Sequence, residues 1–233
     1  MGTVLIVIAI VSAALLVGAL WGVYGKLSDR TEGFIVAIAG GALIMSVIGE
    51  LVEPSAKESN VWVVIAALAA GAVLFSAADY WIDEKLKSEE GVGLLAAITF
   101  DGVPENLALG VALIGASPAE VAALAGSILL SNLPEAAGGA REMKDGGMKP
   151  RTIFALWGGA TVLLAGAALV GNIALAGANV HVLAGIRCVA AGAVVASLAT
   201  EVFPKAFKED RHLAGVATAL GLIIAILLES LSG

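Results

Sequence analysis

Eight long apolar runs occupy most of this 233-residue chain, and they restrict its fold more than any other feature of the sequence. A helix needs about 20 mostly apolar residues to cross the hydrocarbon core of a bilayer, and each run is close to that length. We therefore predict an all-α integral membrane protein with eight transmembrane helices in one transmembrane domain, residues 1–233. The predicted helices cover residues 3–25, 33–52, 61–82, 91–114, 119–141, 152–173, 181–204 and 212–231.

The composition excludes several broad classes of protein. Hydrophobic residues make up 59% of the chain and charged residues only 14%, which is too little polar surface for a soluble enzyme or a disordered segment. The net charge of -7 argues against a nucleic-acid partner, because binding phosphates requires clustered Lys and Arg. Cys188 is the single cysteine, so neither an intrachain disulfide nor a cysteine metal cluster is expected.

The basic residues predict how the chain is oriented. Of 13 Lys and Arg residues, eleven follow the first, third, fifth and seventh predicted helices, on one side of the membrane. Because cytoplasmic loops are enriched in Lys and Arg, we expect a multi-pass protein of the inner (plasma) membrane with both termini outside. The eleven are Lys26, Arg30, Lys85, Lys87, Arg141, Lys144, Lys149, Arg151, Lys205, Lys208 and Arg211.

The second and seventh helices resemble each other. Residues 41–50 and 192–201 share glycine, alanine, serine and glutamate in register, ending at Glu50 and Glu201. The two helices are predicted to run in opposite directions, so the sequence predicts an inverted repeat of helices 1–3 and 6–8 around helices 4 and 5. Such repeats are typical of transporters, although chance similarity between Ala/Gly/Val-rich segments is the alternative.

The fourth and fifth helices each carry a Pro-Glu step near mid-membrane, Pro104-Glu105 and Pro134-Glu135. An ionisable side chain at that depth costs several kcal/mol unless it has a partner or a polar cavity. Asp101 lies four residues before Glu105, and Ser131 four before Glu135, so each pair shares a helix face.

We expect these two helices to lie side by side and to surround one cavity with oxygen-bearing side chains. A divalent cation would satisfy such a cluster, and protons could also neutralise it. Taken alone, each asparagine is more often an interhelical hydrogen bond than a ligand, and each proline is usually a tolerated kink, but the paired Pro-Glu steps favour function. The candidate ligands are Asp101, Glu105, Asn106, Ser131, Asn132 and Glu135.

Three further charged residues have two interpretations. Glu50 and Glu201 lie near predicted helix ends, where they either reach water or belong to an ion pathway, and both are kept as candidate metal ligands. Arg187 lies inside the seventh predicted helix and either extends outward to water or balances a buried acid.

In these motifs the chain resembles the ZIP (Zrt/Irt-like) metal-transporter family. Residues 101–106 match its fourth-helix motif in Pro, Glu and the small residues that follow, and 131–136 match its fifth-helix motif in Pro and Glu. Residues 200–204 look like the acidic end of the family's seventh helix. Both motif histidines are absent, and Gly102 stands where the family often has Asn.

The resemblance implies transport of divalent metal toward the cytoplasm through a site between helices 4 and 5. It implies Glu105 and Glu135 as central ligands, Asp101 and Ser131 at the histidine positions, and Asn132 where some members have an acid. Because all these donors are oxygens, the cargo is expected among Mn²⁺, Fe²⁺ and Zn²⁺, with Mg²⁺ also compatible.

The sequence thus predicts a transporter and no enzyme, without a permanently bound cofactor. The expected partners are the lipid bilayer and divalent metal ions, and a homodimer is left open. A proton-coupled carrier or proton relay would use the same carboxylates and is the first alternative. An intramembrane hydrolase is disfavoured, because Asp101 lacks a preceding Gly-x-Gly and the chain contains no His-Glu-x-x-His.

Overall fold

The computed structural model describes residues 2–26, 28–86, 92–114 and 118–230, and every regular element within them is helical. These residues form eight continuous helices, which correspond one by one to the eight predicted apolar runs. They are α1 (Gly2–Tyr24), α2 (Asp29–Glu58), α3 (Val61–Leu86), α4 (Val92–Ala112), α5 (Pro118–Asp145), α6 (Pro150–Ala174), α7 (Val180–Glu209) and α8 (Ala214–Ser230).

Five of the described helices are long and apolar enough to cross a membrane. These spans are Val4–Tyr24, Asp29–Glu58, Val61–Ile82, Pro150–Ala174 and Val180–Glu209, and α8 adds a shorter apolar helix, Ala214–Leu228. The prediction of an all-α membrane protein is confirmed at this level.

Helices α2 and α7 extend beyond their predicted limits, and both change their winding. α2 begins at Asp29 because the Ser28 hydroxyl caps it by accepting a hydrogen bond from the Thr31 amide at 3.2 Å. Inside α2, Val47–Val52 is π-helical, and inside α7 the same is true of Leu198–Val202.

A proline follows each π-helical segment and explains its position. Pro54 and Pro204 lack an N–H and cannot close the α-helical bond to the carbonyl four residues earlier. The wider winding supplies i to i+5 bonds instead, from Glu53 N–H to the Ile48 carbonyl and from Phe203 N–H to the Leu198 carbonyl. Helix α2 and helix α7 therefore each continue past their glutamate rather than ending near it.

The eight helices pack as two bundles. α1 packs on α5 and α6, and α4 packs on α6, which makes one bundle of α1, α4, α5 and α6. α3 packs on α7, and α2 packs on α7 and α8, which makes the second bundle of α2, α3, α7 and α8. The bundles face each other mainly where α2 meets α5 and where α4 meets α7 and α3.

Glycines bring the helices within each bundle into backbone contact. A Cβ at Gly18 or Gly22 of α1 would overlap backbone carbonyls of α5, and one at Gly41 of α2 would overlap the Thr218 carbonyl of α8. Within lipid, association depends on such close packing because lipid tails are as apolar as the helix surfaces.

Candidate functional site

A cavity of about 340 Å³ lies between the two bundles. Helices α4 and α5 of the first bundle and α2, α3 and α7 of the second contribute to its wall. Liquid water occupies about 30 Å³ per molecule, so this volume corresponds to roughly ten waters. The space is large enough for an ion with most of its hydration shell.

Both Pro-Glu steps contribute their glutamate to this cavity. Glu105 of α4 and Glu135 of α5 line it and are half-buried. Ser131, one turn before Glu135, and Pro134, directly before it, also line the cavity. The shared face follows from helical geometry, since residues three or four apart lie one above the other. Both glutamates therefore lie on the wall of one space between the bundles.

The cavity follows α5 from mid-helix to its basic end. Its α5 lining runs from Ser131 through Glu135 and Gly139 to Glu142, which is about 16 Å at 1.5 Å per residue. Glu142 is exposed, and the neighbouring Arg141 and Lys144 belong to the predicted cytoplasmic side. The space therefore extends from the depth of the two glutamates toward that side.

Two candidate ligands, Asn106 and Ser131, are buried, and each donates a hydrogen bond to a backbone carbonyl of its own helix. Asn106 is 2% exposed, and its amide donates a hydrogen bond to the Gly102 carbonyl at 2.9 Å within α4. Ser131 lines the cavity, and its hydroxyl donates to the Ile128 carbonyl at 3.0 Å within α5. Among the described residues, Asn106 is not part of the cavity lining.

Asn132 lies beside Ser131 and is 3% exposed. Its Oδ1 lies 3.5 Å from the Ser131 hydroxyl, while its Nδ2 has no hydrogen-bond partner within the described part of the chain. Exchanging the two amide atoms would let Nδ2 face the Ser131 oxygen and would present a carbonyl oxygen instead of an unsatisfied donor. Asn132 does not line the cavity as described.

Asp101 falls in α4 by its backbone, but its side chain lies outside the described residues. Within residues that are described, no group of three or more His, Cys, Asp or Glu side chains is arranged to hold a metal ion. The described acidic side chains of the lining therefore lie at separate positions along the cavity wall.

The two helix-end glutamates differ in their relation to the cavity. Glu201 lies in the π-helical segment of α7 and lines the cavity, together with Thr200 and Val202. Glu50 lies in the π-helical segment of α2 and is not among the described lining residues. Irregular winding of this kind is frequent at functional sites because it redirects side chains by a fraction of a turn.

Three charged lining residues were missed from the sequence. Asp79 of α3 and Glu142 of α5 add to the acidic wall, and Lys205 of α7 also faces the cavity. The described lining thus carries five acidic side chains and one basic one. Of these, Lys205 follows Glu201 by four residues, and this spacing, which places both on one face of α7, could have been recognised in the sequence.

Ion pairs are found near both ends of α2. Arg187 of α7 is 8% exposed and donates to Glu58 of α2 at 2.8 Å, so it balances an acid rather than extending to water. At the opposite end of α2, Glu32 is 6% exposed and contacts both Arg141 and Lys205. The sequence alone did not single out Glu32.

No protein-family model matches the chain, and no curated protein matches its sequence.

Proposed function

We propose that this protein transports divalent metal cations of the Zn, Fe and Mn class across the membrane toward the cytoplasm. The observation that carries the proposal is that Glu105 and Glu135, one from each Pro-Glu step, line the same cavity between two helical bundles. The resemblance of these motifs to the ZIP family supports the same function. Transport is the proposed role of the whole domain, and no enzymatic activity is proposed.

The charge of the wall favours a cation as the occupant. Five acidic side chains and one lysine belong to the described lining, and the mutual repulsion of so many carboxylates costs free energy that a cation in the space would offset. A doubly charged ion offsets this cost more effectively than a monovalent one at the same distance.

The donor set favours hard or borderline ions. Glu105, Glu135 and Glu201 offer carboxylate oxygens, and Ser131 offers a hydroxyl. Oxygen ligands suit Mn²⁺, Fe²⁺ and Mg²⁺ and also accommodate Zn²⁺, whereas a strictly soft ion would prefer thiolate or thioether sulfur. The volume allows the ion to keep several waters while it contacts one or two carboxylates.

The helix packing supports an inverted repeat as part of this proposal. In such a repeat, α1 corresponds to α6, α2 to α7, α3 to α8 and α4 to α5. The contact between α1 and α5 then corresponds to the contact between α6 and α4. The contact between α2 and α8 corresponds to that between α7 and α3. All four pairs are in close contact.

Close contacts of two glycines also occupy corresponding positions in the two halves of the repeat. A Cβ at Gly41 would overlap the Thr218 carbonyl, and one at Gly192 would overlap the Leu68 carbonyl. Gly41 and Gly192 are 151 positions apart, and Leu68 and Thr218 are 150 apart. The π-helical segments around Glu50 and Glu201 add a third correspondence.

Two similar halves with a binding space between bundles favour alternating access. In that mechanism the bundle of α1, α4, α5 and α6 moves against the other and exposes Glu105 and Glu135 to each side in turn. The orientation with both termini outside places the basic ends of α5 and α7 in the cytoplasm, on the release side. Glu201 lies one helical turn before Lys205 on α7 and belongs to the same lining.

A flux assay in proteoliposomes tests the proposal. Purified protein is reconstituted, and uptake of Mn²⁺, Fe²⁺, Zn²⁺, Co²⁺, Ni²⁺, Cd²⁺ and Mg²⁺ is compared for the wild type, Glu105→Gln and Glu135→Gln. Glu53→Gln is the matched control, because Glu53 is an exposed acid paired with Lys57 away from the cavity. Saturable uptake that both cavity variants lose and the control keeps is the expected result, and normal uptake by both cavity variants would contradict the site.

The proton-coupled carrier remains the second candidate, since the same half-buried carboxylates could bind protons. It predicts a proton flux driven by a pH gradient in metal-free buffer, and no change in the melting temperature when metal is added. Metal transport predicts no such proton flux in metal-free buffer, and a higher melting temperature when metal is added.

A further inference from the structure

Three helices from the two bundles are joined by one buried carboxylate at the end of the cavity that bears Lys205. Glu32 of α2 is 6% exposed. Its Oε2 accepts a hydrogen bond from Arg141 Nη1 of α5 at 3.0 Å, and its Oε1 lies 2.8 Å from Lys205 Nζ of α7. A buried carboxylate in lipid-facing helices is stable only with such partners.

The two contacts of Glu32 differ in what they connect. Glu32 and Lys205 both belong to the bundle of α2, α3, α7 and α8, whereas Arg141 belongs to the bundle of α1, α4, α5 and α6. Arg141 also pairs with Asp29 of α2 at 2.6 Å. The guanidinium of Arg141 is therefore anchored twice to the opposite bundle.

The packing of α5 allows this contact to be close. Gly138 lies one turn before Arg141, and a Cβ at this position would overlap Glu32 Oε1 and come within 2.7 Å of Lys205 Nζ. The missing side chain lets the carboxylate of α2 and the ammonium of α7 approach the backbone of α5.

We propose that Arg141 with Glu32 and Asp29 forms a latch between the two bundles that must open in each transport cycle. This inference rests on the proposed function, because it concerns the relative motion of the bundles. Wherever α5 moves against α2, the Arg141 contacts separate, while the Glu32–Lys205 pair moves as a unit.

Separation leaves no charge without a partner, so the latch is reversible. Glu32 keeps Lys205, and Arg141 keeps Asp145 on its own helix, at 3.6 Å. Asp29 is exposed and returns to water. A buried acid whose only partner departed would instead resist opening strongly.

Cross-linking with a matched control tests the latch. Thr31 of α2 and Lys144 of α5 are exposed and line the same surface pocket as Arg141. Cysteines at these two positions leave the latch residues Asp29, Glu32 and Arg141 in place, together with Lys205 and Asp145. For the control, Ser59 and His181 are in contact at 3.3 Å near the other end of α2, between α2 and α7 of the same bundle.

The experiment uses Thr31→Cys/Lys144→Cys and Ser59→Cys/His181→Cys in a Cys188→Ala background. Each protein is reconstituted, treated with a short reducible bifunctional thiol reagent, and assayed for Mn²⁺ uptake, since thiolates bind this ion weakly. We expect loss of uptake for the pair across the bundles, full recovery after reduction, and unchanged uptake for the control. Unchanged uptake in a fully cross-linked Thr31→Cys/Lys144→Cys protein would overturn the latch.

Failure of the proposed function is visible separately. If the wild type takes up no divalent ion, transport is refuted, and the latch is then judged from spin labels at the same cysteine pairs. A distance distribution with two populations for the pair across the bundles and one for the control supports the latch. A single narrow distribution for both pairs refutes it.

Discussion

Arg187 of α7 donates a 2.8 Å hydrogen bond to Glu58 and so ties the start of α7 to the last turn of α2. The arginine side chain is 10% exposed, whereas that of Glu58 is 38% exposed. The guanidinium therefore depends on this acid for compensation within the protein, while Glu58 is itself partly hydrated.

Replacing Glu58 is expected to destabilise the protein. Breaking a fully buried ion pair costs about 3–5 kcal/mol, and the partial exposure of Glu58 reduces this to about 1–2 kcal/mol for Glu58→Ala. Unfolding can be followed with a thiol-reactive dye, because Cys188 is buried and becomes reactive only when α7 opens. Glu53→Ala, which breaks an exposed pair with Lys57, is the control and should change stability by less than about 0.5 kcal/mol.

Two glycines of α6 are expected to respond in opposite directions to the same substitution. A Cβ at Gly171 would overlap the Leu107 carbonyl of α4, whereas nothing lies within 4 Å of a Cβ at Gly166. Gly171→Ala should cost about 1–3 kcal/mol because the helices must move apart. Gly166→Ala should stabilise by up to about 1 kcal/mol, since alanine favours a helix more than glycine does. Equal melting temperatures for the two variants would contradict the close approach of α4 and α6.

Binding of cargo is expected to stabilise the folded protein. With Mn²⁺ at 100 times its dissociation constant, linkage predicts a gain of about 2.7 kcal/mol in the free energy of unfolding. Glu105→Gln and Glu135→Gln should lose most of this gain because each removes a carboxylate from the cavity wall. Melting curves with and without Mn²⁺ provide the measurement, and a gain that survives in both variants would place the ion elsewhere.

The two glutamates of the π-helical segments are expected to contribute unequally to transport. Glu201 lines the cavity, and Glu50 does not line it within the described residues. A hydrogen bond or ligand contact to a charged group contributes about 1.5–3 kcal/mol, so Glu201→Gln should lower Mn²⁺ uptake roughly tenfold or more. Glu50→Gln should leave the initial rate within about twofold. A larger loss for Glu50→Gln than for Glu201→Gln would reverse this assignment.

The eight helices and the main polar positions on α4 and α5 could be predicted from sequence because they depend on local patterns. Apolar length sets the helices, and the four-residue spacing of Ser131 and Glu135 sets their common face. The predicted ends of the helices were less accurate than their number. α2 and α7 continue through π-helical turns to Glu58 and Glu209, and the prolines at 54 and 204 were the overlooked signal.

The other half of the site depended on contacts between distant parts of the chain. Asp79, Lys205 and Glu201 reach the cavity because α3 and α7 pack opposite α4 and α5, and Glu32 is buried because Gly138 admits it. Such contacts arise from close packing of small residues between helices, and similar Gly and Ala patterns occur on several faces of this chain.

By itself, then, the sequence determined the helices and the positions of the two Pro-Glu steps along them. Only the tertiary structure decided which helices form each bundle and which charges meet at their boundary. The physical reason is that a helix closes its hydrogen bonds within about one turn of chain. The boundary between two bundles, in contrast, requires side chains more than 100 residues apart, such as Glu32 and Arg141, to approach within 3.0 Å.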